Sequence, residues 1–136
     1  MYTIKQAAAL VGMSEHTLRF YTDKGLVPAV TRDAHNNRVF SDEALNFLTV
    51  IKCLKGCGMS IEAIKKYVDL CLQGDDTVQE RYKIILAQKK VAEEQLQEAQ
   101  KRIEYLQRKA DNYAAILAHH TPDTMNPASW PARSVG

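Results

Sequence analysis

Residues 17 to 28 read TLRFYTDKGLVP, an arginine and two aromatics close to apolar anchors, followed by a glycine, a leucine and a proline. At about 100° per residue, the helix that carries this stretch puts Ser14, Thr17, Leu18 and Tyr21 on one side and His16, Arg19, Phe20 and Asp23 on the other. Leu18 is the apolar anchor, so the side with Arg19 faces outward. Ser14 caps this helix and Gly25 ends it. Upstream, Thr3 and Gln6 form a capping-box pattern for a shorter Ala-rich helix that stops at Gly12. Two short helices joined by a turn make a helix-turn-helix outline. An outward arginine and aromatic on the second helix suit a DNA reader. Arginine makes paired hydrogen bonds to guanine or to phosphate, and an aromatic meets sugar or a thymine methyl. The same outline also serves helical pairs that pack on another protein.

Downstream, LVPAV and RVF read as short strands. The TRDAHNN between them holds Asn36-Asn37, a pair suited to a turn with positive φ. The reading is a small hairpin, or wing, with Arg32 and Arg38 near its ends. Ser41 caps a third helix running to about Leu54, with Asp42 and Glu43 at its positive end. Gly56-Cys57-Gly58 breaks that helix, Ser60 caps a fourth, and Gly74 closes it.

From Val78 onward apolar residues recur in alternating steps of four and three: Val78, Tyr82, Ile85, Ala92, Leu96, Ala99, Ile103, Leu106, Ala110, Tyr113 and Leu117. Lys89 is the one strongly polar interruption. This is the seam of a two-stranded coiled coil on a helix roughly 60 Å long. Such a narrow stripe needs a partner helix, and residues 1–74 are too few to cover it. A second copy of the chain is the economical partner, so a homodimer is expected. The fold class is therefore mainly α, a winged helix-turn-helix DNA-binding domain with two further helices over residues 1–74, then a long dimerising helix over 75–120. The tail, 121–136, is rich in proline and without periodicity, with Trp130 its one candidate anchor.

Composition narrows the function by exclusion. A chain of 136 residues holds one ordinary core or a small domain plus an extended element. The net charge of +2 comes from the N-terminal part, with nine Lys and Arg against seven Asp and Glu in residues 1–74 and nine against nine in 75–136. No apolar run is long enough to span a membrane and the N-terminus does not read as a leader, so a cytoplasmic location without membrane contact is expected. No Ser-His-Asp arrangement, Gly-rich phosphate loop or paired carboxylates is readable. An enzyme is not expected, nor is a cofactor.

TLRFYTDKGLVP, a wing ending in NNRVF, and GMSIEAIKKYV occur in order, and together they resemble the MerR family of bacterial transcription regulators over about residues 2–118. The resemblance implies DNA contact by Thr17, Arg19, Tyr21 and Arg38. His16, Phe20, Arg32 and Asn37 join them from the outward helix face and the wing. Phe20 and Thr22 depart from the usual tyrosine and acid, and Asn36-Asn37 stand where Gly-Tyr is common. The resemblance also implies an antiparallel coiled coil and a near-palindromic operator in double-stranded promoter DNA. There the dimer distorts the duplex so that RNA polymerase reads both promoter elements.

The three cysteines leave more than one reading open. A disulfide between Cys53 and Cys57 is poor, because Cβ atoms at i and i+4 lie about 5–6 Å apart and a disulfide wants about 3.5–4.5 Å. A metal site lacks further ligands, since Cys71 and His119-His120 are the remaining candidates and no C-x-x-C pair exists. On the third helix Ala44, Phe47, Leu48, Val50, Ile51 and Leu54 fill one arc, while Cys53 lies off it with Lys52 and Lys55 nearby. A thiol there can act as a nucleophile. The resemblance sharpens this: IKCLKGCGMSIEAIKKYVDL is similar to the family branch that answers aldehydes and related electrophiles, with a lone cysteine at the position of Cys53 as the reactive group. A regulator with a non-cysteine or metal effector, and a coiled-coil adaptor that binds protein, are the alternatives. Cys57 reads as incidental and Cys71 as core.

Overall fold

Side-chain caps start each of the first four helices. Thr3 Oγ1 accepts from Gln6 N and Gln6 Oε1 from Thr3 N, closing a full capping box. Ser14, Ser41 and Ser60 accept from Thr17, Ala44 and Ala63 N, each at 3.1 Å. Each such cap contributes about 1 kcal/mol. The computed structural model describes residues 1–134. In chain order its elements are β1 (Tyr2–Thr3), α1 (Ile4–Val11), α2 (Glu15–Asp23), β2 (Val30–Arg32), β3 (Arg38–Phe40), α3 (Asp42–Gly56), α4 (Ile61–Gln73) and α5 (Val78–His119). Short 3-10 turns lie at Asp75–Thr77 and Pro127–Ser129.

Between α1 and α2, Gly12 adopts φ 68°, and a Cβ there would stand 2.9 Å from Lys52 Nζ. That ammonium donates to Val11 O at 3.1 Å, closing the carbonyl end of α1. That bond ties the start of the last turns of α3 to the end of α1.

The strands form one antiparallel sheet in the order β1-β3-β2, with Tyr2 opposite Phe40 and Arg32 opposite Arg38. In the wing turn Asn36 takes φ 62°, as its side chain permits, and Asp33 Oδ1 accepts from His35 N and Asn37 N. LVPAV is not a strand as a whole. Pro28 has no N–H to give a ladder and Ala29 has φ 61°, so pairing begins at Val30. β1 carries no sequence signal of its own and forms because β3 offers it an edge. Tyr2 OH donates to Asp42 Oδ1 at 2.7 Å, tying this edge to the start of α3, and the hydrogen bond and negative charge of Asp42 push the phenol's pKa up.

Phe40, Leu18, Leu26, Leu48, Ile51 and Ile64 are fully buried and make the centre of the core. Tyr21 joins them at 6% exposure. Val50, placed on the core arc of α3 by the helical wheel, is 40% exposed, so the buried stripe is narrower than that arc.

At the end of α4 the chain turns sharply. Thr77 Oγ1 lies 2.6 Å from Leu70 O and 2.8 Å from Gly74 O and accepts from Arg81 Nε at 3.0 Å. The one Thr77 O–H serves one of these carbonyls at a time, and Arg81 Nη2 donates to Gly74 O at 3.3 Å, so the open end of α4 is covered. Contacts divide the chain into two units, one of Met1–Lys90 and one beginning at Val91, rather than at residue 74. The reason is that the start of α5 packs with the first unit: Ile84 lies against its core, and Gln88 Nε2 donates to Cys57 O at 2.7 Å. In the second unit Trp130 Nε1 donates to Thr124 O at 3.1 Å, a local clasp that leaves the indole exposed.

Candidate nucleic-acid interface

Caps and core together fix which way α2 presents its side chains. Leu18 and Tyr21 go inward. His16, Arg19 and Phe20 go to solvent, Thr17 is half-buried, and Lys24 Nζ lies 5.6 Å from the centre of the Phe20 ring. Beside this face runs a groove of about 420 Å³ lined by residues 1–4, Arg19, Arg32, Asp33, Asn36, Asn37, Arg38 and Val39. Three arginines expected at a DNA interface thus share one concave surface, although they lie 13 and 6 residues apart in sequence.

Their partners differ in strength. Arg19 Nη2 is 4.0 Å from Glu15 Oε1, both side chains about half exposed, a pair that holds the guanidinium only loosely. Arg32 Nη1 donates to Asn36 O at 2.9 Å, which stiffens the wing. Arg38 Nη2 donates to Asp23 Oδ1 at 2.5 Å, bridging β3 to the end of α2. Asn37 is exposed at the wing tip.

Tyr21 differs from the other residues expected at the DNA in how far it is set inward. Its ring packs in the core, so it is not among the exposed groups that a duplex meets first. The helical wheel already put it on the inner side with Leu18, and only the family resemblance gave it a DNA role. The N-terminal residues Met1 to Ile4 line the groove without any local signal that marks them, because pairing of β1 with β3 brings them there. Asp23, on the outward face of α2, is joined to the groove through its ion pair with Arg38 across 15 residues.

Cys53 and Cys57 are free and exposed, and Cys71 is half-buried. Cys57 N donates to Cys53 O at 3.1 Å, so the last turn of α3 is intact between them. Among the described residues no group of three or more His, Cys, Asp and Glu is placed to hold a metal ion. None of the described helices is long and apolar enough to cross a membrane.

On α5 no residue is buried within the chain. Val78, Tyr82, Ile85, Leu96, Ile103, Leu106, Tyr113 and Leu117 of the expected seam are exposed, and so are Leu86, Val91 and Tyr105 off it. Ala92 and Ala110 are likewise exposed, and Ala99 is half-covered.

Comparison with known proteins agrees with this architecture. A sequence model of the MerR HTH regulatory proteins matches residues 2–71, and one described as MerR, DNA binding, matches 45–109. An uncharacterized HTH-type transcriptional regulator of Haemophilus influenzae is 36% identical over 133 residues, 98% of each chain. The crystal structure of HiNmlR, described as a MerR family regulator lacking the sensor domain and bound to promoter DNA, is 38% identical. It superposes with a TM-score of 0.70 over 86% of this chain and 93% of its own. A MerR family regulator from Bacillus thuringiensis is 34% identical, with a TM-score of 0.69 over 82% of this chain and 98% of its own. The helix-turn-helix, the small wing sheet and the long following helix are thus those of a known class, and this chain belongs to the MerR HTH family of regulatory proteins.

Proposed function

We propose that this DNA-binding transcription regulator works as a homodimer on a near-palindromic operator within a promoter. In this reading the groove between α2 and the wing is the DNA surface. His16, Thr17, Arg19 and Phe20 serve the major groove, and Arg32, Asn37 and Arg38 serve the flanking backbone. The observation that carries the reading is the convergence of Arg19, Arg32 and Arg38 on one groove of a winged helix-turn-helix. A bound relative of the same fold supports it. The seam of α5 pairs two copies and sets the spacing of the two readers. Binding then strains the promoter, and RNA polymerase reads the result as a change in promoter geometry.

Cys53 is the proposed sensing residue, taking a small aldehyde or related electrophile. Its exposure at the end of α3 supports this, as does the Gln88 hydrogen bond that ties the following turn to the start of α5. A covalent adduct at this turn disturbs the join between reader and dimer helix, and an effector acts only through such differential stability. The experiment is a duplex selected by the protein from a random pool, placed in a promoter and transcribed with and without formaldehyde or methylglyoxal. Wild type should respond. Cys53→Ser should bind the duplex with unchanged affinity and lose the response. An unimpaired response removes the thiol mechanism, and failure to select any duplex removes the DNA-binding reading.

A further inference from the structure

The ion pair between Asp23 and Arg38 puts a negative charge in a surface meant for a polyanion. Asp23 ends α2 and Arg38 begins β3, and the pair is 2.5 Å long. Arg38 is the more buried partner at 18% exposure, while the Asp23 side chain is 65% exposed. One Nη2 bond is made to Asp23, which leaves the remaining donors of the guanidinium for another acceptor. Arg38 lines the main groove with Arg19. It also lines a second groove of about 220 Å³ with Asp23, Thr22, Thr31 and Arg32.

From this geometry we infer that Asp23 is a specificity-determining residue, which aims Arg38 at one backbone phosphate of the operator and disfavours other DNA. The inference rests on the DNA-binding reading above. Its physical basis is a difference between two complexes. On the operator the register is fixed by base contacts, so Arg38 meets a phosphate with its free donors while Asp23 holds it still. That contact offsets the repulsion between carboxylate and phosphate. On unrelated sequence the register slides, the paired geometry is not kept, and the repulsion stays uncompensated. Asp23 thus raises the ratio of operator to non-specific affinity without touching a base.

The test compares binding of the selected duplex and of a scrambled duplex of equal composition, by fluorescence anisotropy across a salt series. For Asp23→Asn the scrambled duplex should bind about three- to tenfold tighter, the selected duplex within about twofold of wild type, and the non-specific salt slope should steepen by about one. Asp23→Glu, which keeps the charge, should hold the wild-type ratio. In an Arg38→Ala background the Asp23→Asn effect on the ratio should vanish, because Asp23 acts through Arg38. An unchanged ratio in Asp23→Asn overturns the inference, as does a change of equal size with Arg38 removed, which would be plain charge repulsion. Wild type that distinguishes neither duplex overturns the DNA reading itself, a separate result. Circular dichroism of each variant confirms that the fold is retained.

Discussion

Arg19→Ala is expected to weaken operator binding by about 30- to 25,000-fold while the protein stays folded. A bidentate arginine contact is worth about 1–3 kcal/mol, and the proposed symmetric dimer would lose it twice. The side chain is half exposed, and its partner Glu15 stands 4.0 Å away, so little of the fold depends on it. The loss should fall mainly on the selected duplex. A scrambled duplex should lose only the phosphate share, a few-fold at moderate salt. Titration of both duplexes, with size-exclusion chromatography of the variant, checks this. Retained operator affinity would take the outward face of α2 out of the interface.

Leu106→Lys is expected to dissociate the proposed dimer and, with it, to abolish operator binding. Leu106 is 62% exposed in the single chain, so a change there costs the monomer little. In a paired seam the same lysine meets apolar groups, and burying an unpaired charge costs several kcal/mol, about a thousandfold or more in the dimer dissociation constant. Sedimentation across a concentration series reads the shift directly. The contrast is informative because α5 extends over 42 residues without burying any of them within its own chain. A helix of that kind owes its stability to packing with another element. A Leu106→Lys protein of unchanged mass would mean that the α5 seam is not the dimer surface.

The sequence carried a good deal of this fold in local form. Thr3, Ser14, Ser41 and Ser60 begin helices because a side-chain oxygen within reach of a free N–H is a property of four consecutive residues. The wing turn is local in the same way, since Asn36 tolerates positive φ whatever surrounds it. What escaped the reading depends on residues far apart. β1 exists through β3, Lys52 closes a helix 41 residues earlier, and Asp23 holds Arg38 across 15 residues. Periodicity has no term for these pairings. Two side-chain placements, Val50 and Tyr21, have separate causes. Val50 stands at the rim of a stripe drawn too wide. Tyr21 received its DNA role from family resemblance while its own helical phase pointed inward, and the core took it. In the candidate interface the arginines were legible one by one, but their meeting in a single groove was not.

The central claim, that this groove receives DNA, is tested most directly by side-chain Nε–Hε spectra of arginine in the 15N-labelled protein, recorded while the selected duplex is added. Arg19, Arg32 and Arg38 should shift or broaden together at one stoichiometry. Arg81, engaged with Thr77 and Gly74 O at the α4–α5 corner, should hold its position. Shifts confined to Arg102 and Arg108 on α5, with the three groove arginines unmoved, would contradict the account.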